Sequence, residues 1–222
     1  MDDNVYATTT CESGGDITLP TAPTKYGYTF QGWSSYVPIE YLESTGTQWI
    51  DTGVVGDTDF LRIVFEFENK SLQKNWQSVF GSYIDEDTSA WRLIINNQKI
   101  GYINTNTQAG QGAVGYNFSD EKKYFVDLKY KSVEINGENY VFDAPRGKTN
   151  DRTILLYDSN NNETTISARI YYFQIYDNDT LVRDFVPALD GNGVPCMFDR
   201  VGNKFYYNAG TGDFVAGPVV NE

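Results

Sequence analysis

The segment LRIVFEF at residues 61–67 decides the fold class of this chain. Every second position carries a large apolar side chain, and an arginine and a glutamate stand among the positions between them. A period of two predicts a β-strand in which Leu61, Ile63, Phe65 and Phe67 face a hydrophobic core. Aromatic and β-branched runs of similar length, which are typical of strands, recur along the chain. They are residues 78–84 (SVFGSYI), 91–95 (WRLII), 124–130 (YFVDLKY), 153–157 (TILLY) and 168–176 (ARIYYFQIY).

Short polar pairs between these runs predict β-hairpins. Asn136-Gly137 separates residues 132–135 from residues 139–142, and Asn-Gly is a preferred pair for a two-residue hairpin turn. Asn96-Asn97, between WRLII and QKIGYI, predicts a second two-residue turn. No window shows an apolar stripe at helical spacing over three turns. About a dozen short strands with turns every ~8–12 residues favour an antiparallel sandwich or jelly roll.

Composition and charge exclude several classes of function. The chain has 222 residues, of which 17 are basic and 30 acidic, giving a net charge of -13. Such a chain repels phosphate, which disfavours binding to nucleic acid or to an anionic membrane. The absence of histidine removes the Ser-His-Asp and Cys-His nucleophile systems and histidine-ligated zinc. Aromatic residues make up 15% of the chain, which suits strands and surfaces that contact sugars or proteins.

The two cysteines, Cys11 and Cys196, are too few for a four-cysteine metal site or a disulfide-dense scaffold. They are compatible with a disulfide that ties the N-terminal region to the C-terminal part, or with two free thiols. No apolar stretch approaches the ~18 residues of a membrane helix. Residues 1–10 (MDDNVYATTT) also lack the basic-then-apolar order of a secretory signal. The sequence therefore predicts no insertion into a membrane.

Three stretches and a tail carry a resemblance to a known family. The stretches are residues 41–54 (YLESTGTQWIDTGV), residues 124–141 with their strand–turn–strand pattern, and residues 153–176. They resemble laminin-G-like, concanavalin-A-like jelly rolls of bacterial surface and phage proteins. Residues 181–214 (LVRDFVPALDGNGVPCMFDRVGNKFYYNAGTGDF) are similar to a tail common to surface and phage-encoded members. The resemblance implies an all-β fold, a two-sheet antiparallel jelly-roll sandwich with a short β-type N-terminal attachment.

The N-terminal part carries a second resemblance. Residues 16–33 (DITLPTAPTKYGYTFQGW) resemble the end of an InlB B-repeat, also called the Listeria–Bacteroides repeat. We therefore predict a partial InlB B-repeat-like segment and linker over residues 1–36, and the jelly roll over residues 37–222. Both resemblances imply an extracellular setting, on a bacterial cell surface or a virion.

Paired carboxylates raise the question of catalysis. Glu66 and Glu68 lie on the same face of the predicted strand, and such neighbours come close to the ~5–5.5 Å spacing that a retaining glycosidase needs. Asp85-Glu86-Asp87 forms a second acidic group. Related catalytic jelly rolls carry a Glu-x-Asp-x-x-Glu strand, whereas this chain has Glu66-Phe67-Glu68-Asn69 and lacks the central acid. The alternative, a solvated strand face and an acidic loop, is favoured, so we predict that the protein is not an enzyme.

Loops rich in oxygen donors make calcium a candidate cofactor. Calcium takes six to eight oxygen ligands, often from one turn, and the resemblance implies a calcium site at one rim of the sandwich. The candidate ligands are Asp158, Asn160, Asn162, Asp177 and Asp179. The alternative is that these Asn and Asp residues simply form turns. The run Asp190-Gly191-Asn192-Gly193 also predicts a tight turn.

Exposed aromatic residues are candidates for stacking on sugar rings. They are Trp76, Tyr83, Trp91 and Tyr116. The alternative for each is packing against the core, which we expect of Trp33 and Trp49. Residues 104–117 (NTNTQAGQGAVGYN) are polar and glycine-rich and suit a variable rim loop, the usual place for binding.

Together these patterns predict a non-catalytic extracellular module for adhesion or recognition, with a surface glycan or a host or cell-surface protein as its partner. The alternative is a structural spacer or self-assembling module of a surface fibre, pilus or phage tail. A glycoside hydrolase or lyase is the third alternative.

Overall fold

The computed structural model describes residues 21, 22, 24, 26, 36–55, 61–71, 76–83, 90–96, 100–104, 114–129, 131–141, 152–156 and 165–220. The chain divides into two units, Met1–Ser35 and Tyr36–Glu222. The segment predicted to resemble an InlB B-repeat falls almost wholly outside the described residues, so its assignment stays a prediction.

The described part of the second unit is made of seventeen β-strands. In chain order they are β1 (Val37–Pro38), β2 (Leu42–Thr45), β3 (Ile50–Val55), β4 (Leu61–Ser71), β5 (Gln77–Tyr83), β6 (Ala90–Ile95), β7 (Ile100–Asn104), β8 (Val114–Asn117), β9 (Lys123–Leu128), β10 (Ser132–Ile135), β11 (Glu138–Val141), β12 (Arg152–Leu155), β13 (Ser167–Asp177), β14 (Thr180–Leu189), β15 (Pro195–Asp199), β16 (Lys204–Tyr206) and β17 (Val215–Ala216). Across the described residues we find no helix long and apolar enough to cross a membrane.

The strands form two antiparallel sheets. The larger sheet has eleven strands, eight of them in the order β11-β10-β9-β4-β13-β14-β15-β16. In addition, β1 pairs with β14, while β2 lies between β13 and β17. The smaller sheet has six strands in the order β3-β12-β5-β6-β7-β8. The predicted all-β architecture of two antiparallel sheets is confirmed.

The hydrophobic core lies between the two sheets. On β4 the predicted inward residues Leu61, Ile63, Phe65 and Phe67 are at most 2% exposed, which confirms the alternation of this strand. The Phe65 ring meets the ring of Phe80 from the smaller sheet edge-on, with centroids 5.6 Å apart. Aromatic contacts of this kind join the two layers and add to the free energy of burial.

Two predicted hairpins have different outcomes. Asn136 and Gly137 both have positive φ, 49° and 86°, and join β10 to β11 as the predicted two-residue turn. The hairpin of β6 and β7 is also present, but Ile95 pairs with Gly101, so its connection is longer than the predicted Asn96-Asn97 turn. Asn96 is buried, and neither residue of the pair is the glycine that a tight turn favours at its second position.

The C-terminal strap, residues 208–220, closes one edge of the larger sheet. It runs antiparallel to residues 38–49 and includes β17, which pairs with β2. Its backbone hydrogen bonds, donor first, are Ala209 N to Trp49 O (2.9 Å), Thr211 N to Thr47 O (3.0 Å), Gly217 N to Tyr41 O (2.9 Å), Glu40 N to Pro218 O (2.8 Å) and Val220 N to Pro38 O (2.9 Å). Trp49 packs against the core beneath the strap, as the sequence predicted.

Candidate functional site

A β-bulge in β13 places two neighbouring tyrosines on the same side of the larger sheet. Ile170 pairs with Phe67 of β4 and Tyr172 pairs with Glu66, so Tyr171 is an extra residue in β13. Ile170 and Phe173 are both fully buried, whereas Tyr171 and Tyr172 between them are partly exposed. A regular strand would have turned one of these tyrosines into the core. Bulges that redirect side chains in this way are over-represented next to functional sites.

Four tyrosines on the outer side of the larger sheet form what we call the tyrosine face. They are Tyr41, Tyr171, Tyr172 and Tyr176, all partly exposed. The rings of Tyr41 and Tyr171 meet edge-to-face, with centroids 5.8 Å apart and an interplanar angle of 68°.

Three of these rings carry a cation. The Arg169 guanidinium lies 4.1 Å from the ring centroid of Tyr41, and the Lys123 ammonium lies 3.6 Å from that of Tyr171. The Arg62 guanidinium lies 5.2 Å from the Tyr176 centroid. These distances are within the range in which the negative face of an aromatic ring attracts a cation.

Glu68 is the centre of the hydrogen-bond network on this face. The Tyr171 hydroxyl donates to its Oε2 at 2.8 Å, the Lys70 ammonium donates to its Oε1 at 3.2 Å, and Arg169 Nη1 lies 3.4 Å away. Burial alone would raise the pKa of Glu68, but the hydrogen bonds from Tyr171 and Lys70 and the charge of Arg169 outweigh it, so this pKa is lowered. Burial and the bond to Glu68 raise the pKa of Tyr171, which therefore stays a neutral donor.

Further carboxylates surround these cations. Arg169 Nε donates to Glu43 Oε2 at 2.6 Å. The Lys70 ammonium also lies 3.4 Å from Glu121 Oε1. The Lys123 ammonium lies 3.7 Å from Glu40 and 3.6 Å from Glu66. Arg169, Lys70 and Lys123 are thus each shared between two carboxylates.

This geometry does not suit the glycosidase chemistry considered for Glu66 and Glu68. Both side chains lie on the outer face, as predicted, but a general acid must hold its proton near neutral pH. Glu68 has a lowered pKa, so its carboxylate is ionised. Its oxygens already contact Tyr171, Lys70 and Arg169. The acidic residues 85–87 lie outside the described residues. Glu68 is therefore not placed to act as a general acid.

The four aromatic residues predicted to bind sugars lie in the smaller sheet or directly before one of its strands. Trp76 lies just before β5, is 44% exposed and has a φ of 81°, an uncommon backbone conformation for a bulky residue. The backbones of Tyr83 and Trp91 lie in β5 and β6, and their side chains fall outside the described residues. Tyr116, in β8, packs in a cluster of rings. Its neighbours are Phe118 (4.9 Å), Tyr124 (6.0 Å) and Tyr140 (6.1 Å).

The residues of the tyrosine face were not among the sequence candidates. The sequence does contain one signal for them, in the run ARIYYFQIY. Its apolar residues Ile170, Phe173 and Ile175 are spaced by three and then by two. An extra residue in a period of two indicates a bulge, and the doublet Tyr171-Tyr172 is where it falls.

The predicted calcium ligands are only partly described. Asp158, Asn160 and Asn162 lie outside the described residues. Asp177 ends β13, and Asp179 belongs to the exposed turn to β14, where its φ is 60°. Asn178 and Asp179 form a two-residue hairpin turn, as the alternative interpretation of these residues expected. In the part of the chain that the structure describes, no three acidic or cysteine side chains are grouped to hold a metal ion. The calcium site stays a prediction.

The turn predicted at Asp190 is confirmed. Asp190 Oδ1 accepts hydrogen bonds from the backbone N–H groups of Asn192 and Val194, both at 2.9 Å. Its Oδ2 accepts from the Tyr207 hydroxyl at 3.0 Å. These bonds lower the pKa of Asp190, with the Val194 N–H contributing most. The carboxylate therefore acts as the cap of its own loop.

Cys196 is fully buried on the outer side of β15, with its Sγ 3.5 Å from the carbonyl oxygen of Ala188. Burial raises the pKa of its thiol to about 12. Cys11 lies outside the described residues, so a disulfide between the two cysteines stays a prediction.

We expect Cys196 to be alkylated slowly in the native protein, because the thiolate is the reactive form. Burial raises the pKa of the thiol, which lowers the fraction of thiolate, and it also keeps the reagent away from the sulfur. Intact-mass measurements after iodoacetamide treatment, with and without denaturant and reductant, test this expectation. Two free thiols would both react in denaturant alone. A disulfide would require the reductant first, and rapid alkylation of Cys196 in the native protein would contradict its burial.

Comparison with known proteins supports the fold. The sequence matches no protein-family model and no curated protein. Among solved structures, the heptameric SAP-like pentraxin from Limulus polyphemus superimposes with a TM-score of 0.50 at 9% identity, over 83% of this chain and 94% of that chain. A proposed carbohydrate-binding protein from Bacteroides ovatus superimposes with a TM-score of 0.53 at 12% identity.

The second of these alignments covers 82% of this chain but only 61% of the Bacteroides ovatus protein. Domains LG4-5 of the mouse laminin alpha1 chain align over 67% of this chain and 44% of that chain, with a TM-score of 0.42 at 15% identity. The first two similarities confirm the predicted jelly-roll sandwich. At such low identity they describe the fold alone.

Proposed function

We propose that this protein is a non-catalytic recognition module that binds a glycan on its tyrosine face. The observation that carries the proposal is the bulge at Tyr171. It turns two adjacent tyrosines outward, beside Tyr41, on a sheet face that also carries a dense set of hydrogen-bonding side chains. An alternating strand would have given the same core with one tyrosine fewer outside.

The chemistry of this face suits a sugar. Aromatic rings offer flat apolar surface to the C–H face of a sugar, and their hydroxyl groups provide a polar handle. Carboxylates and ammonium groups accept and donate the hydrogen bonds that sugar hydroxyls require. Glu40 and Lys123 keep about half of their side-chain surface exposed, at 49% and 48%. Both therefore remain able to contact a ligand.

The setting that we propose is extracellular, on a bacterial cell surface or a virion. The sequence resemblances of residues 16–33 and 181–214 support this setting. The jelly-roll fold supports a recognition role, since the Bacteroides ovatus protein that shares it is itself proposed to bind carbohydrate.

A variant that lacks Tyr171 tests whether the bulge is needed for glycan binding and not for folding. The shortened strand runs Ala168, Arg169, Ile170, Tyr172, Phe173, which restores strict alternation and direct pairing with β4. We expect the variant to fold with little change in its free energy of unfolding and to lose at least about tenfold in affinity for a glycan found on an array. A glycan array and calorimetry measure the affinity of the wild-type protein and of the variant. Urea unfolding measures their free energies of unfolding.

Trp76→Ala is the matched control, because it removes an exposed aromatic residue that directly precedes β5 of the smaller sheet. Unchanged affinity in the Tyr171 deletion together with a loss in Trp76→Ala would move the site to the rim near β5.

Two other results would favour the alternative functions. If the wild-type protein binds no glycan on a broad array and self-associates in light scattering, the spacer or assembly module is favoured. Hydrolysis of a polysaccharide that Glu68→Gln abolishes would restore the enzyme interpretation.

A further inference from the structure

We infer that the tyrosine face selects sugars that carry a free amino group over neutral and acidic sugars. This inference rests on the proposed function and names the chemical class of its ligand. Three features of the face support it: the pairing of its cations, the surplus of carboxylates, and the contacts that two tyrosine rings already make.

The cations around Tyr41 and Tyr171 are already neutralised. Arg169 lies between Glu43 and Glu68, and its bond to Glu43 is short, at 2.6 Å. Lys70 and Lys123 each lie within 4 Å of two carboxylates. A sugar carboxylate or sulfate would have to compete with these carboxylates for a cation, and it would do so on a chain with a net charge of -13. Acidic glycans are therefore disfavoured at this face.

Carboxylates outnumber cations here, and two of them are accessible. Five glutamates pair with Arg169, Lys70 and Lys123; these are Glu40, Glu43, Glu66, Glu68 and Glu121. The side chains of Glu121 and Glu40 are 74% and 49% exposed, so an incoming ammonium can reach them. A positively charged ligand thus gains charge complementarity that a neutral ligand does not.

The ring of Tyr171 already holds an ammonium group. The Lys123 Nζ lies 3.6 Å from its centroid, which is close for a cation–π contact. The same Nζ lies 3.6–3.7 Å from Glu66 and Glu40, beyond hydrogen-bond distance, and its side chain is 48% exposed. Lys123 therefore makes no hydrogen bond to either glutamate, in contrast to Arg169, which is hydrogen-bonded to Glu43. We infer that the ammonium of an amino sugar takes the position over Tyr171 and that Lys123 moves aside into solvent.

The test compares three oligosaccharides of equal length by calorimetry at low salt, below the pKa of the sugar amine. The probes are a glucosamine oligomer, its fully N-acetylated counterpart and a galacturonate oligomer. We expect the glucosamine oligomer to bind about tenfold more tightly than the N-acetylated one, and the galacturonate oligomer to bind most weakly. Added salt should reduce the difference between the first two, because exposed charges are screened.

Two variants address the position over Tyr171 directly. Lys123→Met removes the resident ammonium, so it should tighten binding of the glucosamine oligomer several-fold. Glu40→Gln removes an accessible carboxylate, so it should weaken that binding. Lys129→Met is the matched control, because Lys129 directly follows β9 and pairs with Asp127, which is not one of the carboxylates around Tyr171. It removes the same charge from the protein and should leave the preference unchanged.

The outcomes separate this inference from the proposed function. Equal or tighter binding of the N-acetylated or galacturonate oligomer, or weaker glucosamine binding in Lys123→Met, would overturn the inference and leave glycan binding in place. Failure of all three probes and of a broad array would overturn the proposed function itself.

Discussion

Replacing Phe173 with alanine is expected to lower the free energy of unfolding by about 3–5 kcal/mol, the range typical of large cavities in a core. Phe173 is fully buried directly after the bulge. Its ring lies 5.5 Å from Phe65 in its own sheet and 6.1 Å from Phe80 in the opposite sheet. Truncation therefore removes contacts that join the two layers. Urea unfolding, followed by circular dichroism, measures the change.

Phe125→Ala is the matched control for Phe173→Ala. Phe125 is the same residue type on β9, which pairs with the other side of β4 in the same sheet, but it faces outward and is only partly buried. We expect a clearly smaller loss of stability for this variant. Equal losses for both variants would contradict the assignment of Phe173 to the shared core.

Gly210→Ala is expected to cost about 3 kcal/mol, at the upper end of what overpacking costs. A Cβ at this position would overlap the carbonyl oxygen of Thr47 and would lie 2.7 Å from Cδ1 of Trp49. The first neighbour is backbone, which cannot rotate away. The turn of the C-terminal strap would therefore have to lift from residues 47–49, with loss of the hydrogen bonds made by Ala209 and Thr211.

The same change at Gly191 provides the control for Gly210→Ala. A Cβ added at Gly191 would meet no atom within 4 Å apart from its own chain neighbours, so alanine should be tolerated there with a change below about 0.5 kcal/mol. Thermal unfolding of both variants distinguishes them. A native-like melting temperature for Gly210→Ala would show that the strap is not held as described.

Local patterns explain why much of the fold could be predicted. The alternation of residues 61–67 fixes which side of β4 is buried, because a slip of one residue would expose four large apolar side chains. Asn136-Gly137 specifies its hairpin because both residues tolerate positive φ. Asn96-Asn97 lacks the glycine, and the register of that hairpin could not be set from the pair alone.

The candidate site was harder to predict because it depends on contacts between distant parts of the chain. Glu68 acquires its lowered pKa from Tyr171 and Arg169, about a hundred positions further along the sequence, together with its near neighbour Lys70. Tyr116 was a plausible ligand-binding residue by type, but its burial depends on rings from other strands. The bulge at Tyr171 was the one feature of the site with a local signal, in the broken period of residues 168–176.

The strap also determines how the folded unit would respond to mechanical tension. Pro38 and Val220 are hydrogen-bonded neighbours, and the pairing continues from them towards Trp49 and Ala209. A force that pulls residues 37 and 220 apart would act on one backbone hydrogen bond at a time, starting at Pro38 and Val220. The strap would therefore unzip from this end and would not be loaded in shear. Force would thus detach the strap before it reached the two-sheet core.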